Sequence, residues 1–321
     1  MIDPVNEKNV LVTGGAGFIG SHLCEELLKK DNQVVILDNL SSGYSRNISE
    51  HRNLTFINGD IRDTELVDNL VQNAEIVFHL AEYIPPTKEY GSGHVIKYST
   101  EKPLIDFDVS AKGSLIILNS VNKHNKRLVF ASTAAIYGNT ENPISEDSSP
   151  QPISPYGVSK LCAEEYIKQY SRLNGTRATI LRLFNVYGPR QTKYVMYDTL
   201  LKLTKNAREL ELFGTGKEER DFIFVSDVVD AFILAAEKQA AIGNIFNVGT
   251  GISTNISALM KLMVEIIEED PRLSYKGTSW KGDVPQLVAN ISKISKMGFK
   301  PKITLKQGLQ RFVDHFLFKS H

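Results

Sequence analysis

The segment YGVSK at 156–160 sets a tyrosine and a lysine four residues apart, Tyr156 and Lys160. On a helix that spacing puts both side chains on one face, about a turn apart. A tyrosine beside an ammonium group can take a proton from a substrate hydroxyl once its own proton is gone. The reference pKa of tyrosine is about 10, and base work near pH 7 needs it about three units lower, or roughly 4 kcal/mol. One nearby cation typically supplies about 1–3 units of that shift. Taken alone, Tyr-x-x-x-Lys is a common spacing and describes a surface pair. FASTAAIYG at 130–138 gives it context: an apolar strand runs out on two hydroxyls, Ser132 and Thr133, followed by two methyls, Ala134 and Ala135.

The start of the chain supplies a further part. VLVTGGAGFIGSHL sets Gly14, Gly15, Gly17 and Gly20 between a strand and a helix. Glycine lets the backbone turn tightly and lets a phosphate approach, and the helix that follows offers free N–H groups to an anion. The string fits G-x-G-x-x-G from Gly15 and G-x-x-G-x-x-G from Gly14. A glycine motif by itself is weak, but strand before and helix after are the setting a dinucleotide loop requires. Asp38 closes the second strand, 18 residues after Gly20. A carboxylate there accepts hydrogen bonds from a ribose hydroxyl and repels a 2′-phosphate, which favours NAD over NADP. Arg46, the nearest cation, lies too far along to reverse that preference. Asp60 and Ile61, just past the third strand, are placed to meet adenine. A positively charged nicotinamide ring would join Lys160 in favouring the tyrosine phenolate.

These residues need a frame. Apolar runs rich in Val and Ile recur at 9–13, 33–37, 54–57, 75–80, 127–131 and 178–183, without polar alternation, as suits strands buried on both faces. Helical patterns lie between them, at 18–30, 104–124 and 156–173. Alternating strand and helix predicts an α/β fold with a Rossmann-type, doubly wound parallel sheet. After about residue 180 loops lengthen and helices dominate, at 195–207, 256–268 and 305–318. The expectation is an NAD-binding domain over 1–180 and a smaller, mostly helical C-terminal substrate lobe over 181–321. The strand-like run 221–250 is expected to return to the first domain.

Bulk composition narrows the partners. Lys plus Arg equals Asp plus Glu at 37 each, which argues against a polyanion such as nucleic acid as the main partner. At 42% hydrophobic and 23% charged the chain has the make-up of a soluble globular protein. Cys24 and Cys162 both fall in helical stretches and read as small buried apolar residues, which fits a reducing compartment. The polar N-terminus MIDPVNEKN has no signal-peptide core, and no apolar run approaches the roughly 20 residues of a membrane helix. A cytoplasmic protein is expected, with no membrane partner and no metal.

The strings VTGGAGFIGSHL, LDNLSSG, GDIRD, VFHLA, STAAIYG, SPYGVSK, LRLFNVYGPRQ and GTGKEERDFIFVSD occur in that order from residue 9 to about 250, and GDVPQLVANISK extends them to 293. In these the chain resembles the extended short-chain dehydrogenase/reductase superfamily, within its NAD-dependent nucleotide-sugar epimerase and dehydratase group. The resemblance implies cofactor contacts at Gly14, Gly17, Phe18, Ile19, Gly20, Asp38, Asn39, Ser42 and Gly43. Asp60, Ile61, Leu80, Ala81 and Phe184 continue that set, with Tyr156 and Lys160. It implies that Thr133 bridges the sugar O4 and Tyr156, which acts as the base, while Lys160 lowers the tyrosine pKa and holds the nicotinamide ribose. Ser132 supports the strand end. Related 4,6-dehydratases carry Asp and Glu directly after the threonine, and decarboxylating relatives keep a Glu in this segment. Ala134 and Ala135 can do no acid–base work, which leaves reversible oxidation at C4, the chemistry of a 4-epimerase. Asn185 and Arg220 match the diphosphate contacts. Lys281, Asp283 and Leu287 fall at further substrate positions, and a homodimer through the helices near 104–124 and 156–173 is implied.

The chain departs from the family pattern at several points. Trp280 stands where an arginine normally precedes Gly-Asp, with Lys281 as a point charge beside it. Glu82 replaces a small residue beside the nicotinamide, and Ser110 replaces an Asn. The stretch 85–99 is longer than usual, either a lid over the sugar or a surface insertion. Thr192 takes the place of a carboxylate-reading arginine, with Lys193 next to it. UDP-glucose/galactose, the N-acetyl pair and a uronic acid all stay open. So do a dehydratase or dehydrogenase using Glu82 as its acid, and a non-catalytic NAD-binding protein.

Overall fold

A computed structural model describes residues 4–83, 95–277 and 284–319. Seven parallel strands form the central sheet: β1 (Asn9–Thr13), β2 (Gln33–Asp38), β3 (Leu54–Asn58), β4 (Ile76–His79), β5 (Arg127–Thr133), β6 (Arg177–Leu183) and, after four short strands outside it, β11 (Ile245–Val248). Their order is β3-β2-β1-β4-β5-β6-β11. Successive side chains point to opposite faces, and here both faces are covered, which is why the strands read as unbroken apolar runs. Val10 and Val12 pack with Leu23, Leu27 and Phe232 under the helices Phe18–Leu28 and Val225–Glu237. Leu11 packs the other way, with Val67, Ile117 and Leu128 under Thr64–Asn73 and Ser114–Lys123. The chain reverses its winding between β1 and β4, and at such a switch point a crevice opens beyond the carboxyl ends of the strands.

Two stretches differ from their sequence reading. The pattern over 104–124 is one helical run only in outline: a π-helical segment, Phe107–Gly113, lies between Pro103–Asp106 and Ser114–Lys123. The run 221–250 holds two short strands, β10 (Phe222–Phe224) and β11, on either side of the helix Val225–Glu237, whose apolar residues are buried nearly all round. β11 pairs with β6, Phe246 against Leu181.

Beyond β6, the helices Tyr194–Lys205, Ile256–Ile267 and Leu305–Lys319 gather a second core around Met196, Leu200, Phe222, Leu259 and Phe312. Small sheets accompany them. β7 (Asn185–Tyr187) pairs with β10, and β8 (Glu209–Leu212) with β13 (Arg272–Tyr275). β9 (Glu219–Arg220) lies between β12 (Thr254–Asn255) and β14 (Gln286–Leu287). Strands of two to four residues leave no alternation to detect, so apart from β10, inside the strand-like run 221–250, the sequence did not disclose them.

Candidate active site

β1 delivers the chain into a tight turn. Gly14 has φ +73°, and a Cβ on it would lie 2.8 Å from the Ala81 backbone nitrogen. A Cβ on Gly20 would lie 2.2 Å from the Gly14 carbonyl oxygen. Gly17 caps the Phe18–Leu28 helix, so the first N–H groups of that helix face the turn. Any side chain at these positions would fill or break the cradle, and the free N–H groups suit a pyrophosphate. Gly14, Gly17, Phe18, Ile19 and Gly20 line a groove along the switch point.

Asp38 lies in the same groove and is tied to the turn: its carboxylate accepts from the Ala16 N–H at 3.0 Å and the Leu40 N–H at 2.8 Å. Burial pushes its carboxyl above the usual range. Asn39 donates to Asp60 at 3.0 Å, and Asp60 is gripped by Arg62, which holds its carboxyl down at about 2. Asn39, Ser42, Asp60, Ile61, Leu80 and Ala81 all line the groove. Gly43 lies behind the turn instead, where a Cβ would meet the Ala16 methyl at 2.9 Å. Arg46 stacks over the Tyr44 ring at 4.3 Å. Cradle, exposed helix N–H groups and acidic strand end fit a dinucleotide.

The groove continues to the end of β5. SPYGVSK begins the helix Pro155–Asn174 with a defined cap: the Ser154 hydroxyl accepts from the Gly157 N–H at 3.2 Å, and proline takes the first turn. Gly175, with φ +69°, ends the helix. That capped start sets Tyr156 in the groove and Lys160 one turn below it, 1% exposed, its ammonium 4.6 Å from the Phe130 ring centroid. Thr133 accepts from the Ala135 N–H at 3.1 Å and lines the groove with Tyr156. Ala134 and Ala135 add their methyls to the wall. The Ser132 hydroxyl turns away and donates to buried Glu164.

Glu82 is the largest departure from a plain tyrosine–lysine site. Tyr156 donates its hydroxyl hydrogen to Glu82 Oε2 at 3.1 Å, and Lys160 Nζ is 3.1 Å from the same oxygen. Burial, then the Glu82 carboxylate and the nearby Tyr194, push the Tyr156 phenol well above its usual range, against the pull of the Thr133 hydrogen bond. The low tyrosine pKa expected from the sequence rests on the Lys160 charge together with a nicotinamide ring; the protein part of that pair, the Lys160 ammonium, faces a carboxylate.

On the far side of the groove lie Phe184, Asn185, Arg220 and Leu287. Asn185 Nδ2 is buried and has no hydrogen-bond partner among the described residues. Arg220 donates to the Glu219 carbonyl at 2.7 Å, and Leu287 pairs with it across β14 and β9. Lys193 is buried, and burial draws its ammonium down to about 8 against the attraction of Glu82. Tyr194 follows with φ +70°. Ser110, in the π-helical segment, donates to Asp106 at 3.5 Å, and Asp106 accepts from Ser159 at 2.6 Å beside Lys160. Sequence reasoning missed Tyr194 and Asp106, which no local motif marks. Trp280, Lys281, Asp283 and all but the last five residues of 85–99 lie outside the described residues; Val95–Ser99 belong to the helix Val95–Glu101. Among the described residues no cluster could hold a metal ion, and no helix is long and apolar enough to cross a membrane.

Comparison with known proteins agrees with this geometry. The sequence model of the NAD dependent epimerase/dehydratase family matches residues 10–249. The UDP-glucose 4-epimerase of Mycolicibacterium smegmatis is 32% identical, over 97% of this chain and 99% of its own. The dTDP-D-glucose 4,6-dehydratase of Mus musculus is 30% identical, over 98% and 90%. A crystal structure of a Thermotoga maritima UDP-glucose 4-epimerase with UDP-glucose superposes with a TM-score of 0.89 at 36% identity, covering 98% of this chain and all of that one.

Proposed function

The chain belongs to the NAD dependent epimerase/dehydratase family, and from that premise we propose that it is a nucleotide-sugar 4-epimerase acting on a UDP-sugar. The observation that carries this reading is the wall beside Tyr156: Thr133 lines the same groove as the tyrosine, and the two residues after it are alanines. Tyr156 takes the proton of the sugar 4-hydroxyl, with Thr133 aligned between them. NAD, the family's cofactor, would supply a reversible hydride acceptor for C4 when bound. The glycine turn and Asp38 would hold it, with Phe184 and Lys160 at its reactive end. The resulting 4-keto sugar turns over in the groove while its nucleotide stays anchored. Asn185, with its unpartnered buried amide, and Arg220 suit the diphosphate, to which charge-assisted contacts give firm hold. The UDP-glucose held by the Thermotoga relative supports a UDP-linked substrate.

Leu104, Phe107, Val158 and Tyr166 are exposed large apolar side chains on the helices expected to pair, and they support a homodimer. One observation favours a second reading, a dehydratase or dehydrogenase of the same family: Glu82 brings a carboxylate to Tyr156 from the segment that follows β4. Proton NMR of the protein with UDP-glucose, UDP-N-acetylglucosamine or UDP-glucuronate separates the two. A new anomeric signal from a C4 epimer, with no 4-keto sugar accumulating, is the expected result. Net loss of water, or net NADH formation, would replace it with the second reading.

A further inference from the structure

Glu82 has no part in the reaction just described, yet it is built into the reacting centre. Its backbone is fixed on both sides. The Ala81 N–H donates to Thr13 at 3.2 Å, and Tyr83 stacks on Tyr98 with ring centroids 4.8 Å apart and their hydroxyls 2.8 Å apart. β4 ends at His79, opposite Phe130 of β5, and the residues after it carry Glu82 into the groove that Thr133 and Tyr156 line. The carboxylate then spans the Tyr156 hydroxyl and the Lys160 ammonium through one oxygen. The same oxygen thus holds the tyrosine's proton and occupies the cation that would favour its loss.

We propose that Glu82 is a positioning residue that keeps Tyr156 a protonated phenol and sets the pH above which the site accepts the substrate's proton. The inference rests on Tyr156 being the base, and it adds a control on that base. The other charged and titratable groups around the pair do not substitute for Glu82. His79, on β4, is buried between Thr13 and Ser114 and drawn down to about 3, chiefly by burial and then by Lys160, so it is neutral. Asp106 is engaged with Ser159 and Ser110, and burial favours its protonated form. Tyr194 is a half-buried phenol pushed up by desolvation and then by Glu82. Lys193 is the one other cation that Glu82 attracts among these groups, and burial weakens its charge. A phenolate at Tyr156 would face the Glu82 carboxylate directly, and like charges so placed disfavour ionisation.

The test is titration of the Tyr156 phenol by its ultraviolet phenolate absorbance, in the full-length wild type, Glu82→Gln and Glu82→Ala, with Tyr156→Phe as the blank. Glutamine keeps an acceptor for the hydroxyl and removes only the charge, and alanine guards against a misfolded glutamine variant. Loss of the charge is expected to lower the Tyr156 midpoint by roughly 1–3 units. The acid limb of kcat should move down with it, giving about a ten-fold rate gain or more on that limb. An unmoved midpoint in both variants would reduce Glu82 to a packing residue and overturn the proposal. A lowered midpoint with turnover lost at every pH would make Glu82 itself the acid or base, and would overturn it too. The absorbance titration needs no turnover, so it stands or falls separately from the 4-epimerase reading.

Discussion

The ion pair beneath the reacting strand makes a prediction that can be worked from its contacts. Glu164 is fully buried and accepts from Arg182 Nη2 at 2.7 Å and Nε at 3.1 Å, as well as from Ser132. Arg182, 2% exposed, keeps only the Tyr137 hydroxyl at 2.7 Å and the Glu146 carbonyl at 3.2 Å when Glu164 is removed. Neither carries a compensating charge, so Glu164→Ala strands a guanidinium in the core. Breaking such a pair from one side costs about 3–5 kcal/mol, whereas replacing both partners by apolar groups is often neutral. Glu164→Ala should therefore lose about that much stability, and Glu164→Leu with Arg182→Met should recover most of it. Urea unfolding at constant slope measures both, and the double-mutant cycle isolates the coupling. A loss under about 1 kcal/mol in the single variant, or a double variant no better than the single, would refute the view that the buried charge dominates here.

Other outcomes follow from the same geometry. Tyr156→Phe should lower kcat by roughly 10²–10⁴-fold, the usual worth of a positioned acid–base group, with NAD affinity by calorimetry unchanged. A comparable loss of affinity would mean the hydroxyl serves binding. Gly20→Ala places a methyl 2.2 Å from the Gly14 carbonyl oxygen, so the turn must open; NAD binding should weaken at least about ten-fold, or ~1.4 kcal/mol, while the circular dichroism stays native. Asp60 is held at about 2 by Arg62, below its unfolded value of about 3.9, so its contribution is present above pH ~4 and is lost as pH falls toward 2. Asp60→Asn should flatten the fall in urea midpoint across that window; a slope equal to wild type would show the pair to be inert.

What the sequence disclosed depended on range. The glycine turn, the capped start of the Pro155–Asn174 helix and the buried strands are each written within about ten residues, so spacing and residue type were enough to find them. The strand-like run 221–250 was marked, but the helix Val225–Glu237 inside it was not, and neither were most of the short strands around the second core. Short strands carry no periodicity, and an apolar helix buried all round looks like a strand. The Glu164–Arg182 pair and the Asp106–Ser159 contact join segments far apart in the chain, with no motif to announce them.

Glu82 lies between these cases. Its partner Tyr156 is 74 positions away, so nothing local connects them. Once β4 is known to neighbour β5, however, the neighbourhood follows: β4 ends at His79 opposite Phe130, and Glu82 just beyond it enters the groove that Thr133 and Tyr156 line. A small side chain there would leave the Lys160 charge free to act on the tyrosine. A glutamate neutralises it and lends the phenol an acceptor, without altering the strand, the cap or the helix that position the pair. The motif is therefore intact while its electrostatics are reversed. Two methyls after Thr133 remove acids from just beyond β5, and one carboxylate returns just beyond β4, where it touches the base and not the positions that Ala134 and Ala135 left empty of acids. That placement is why the charge is read here as acting through Tyr156.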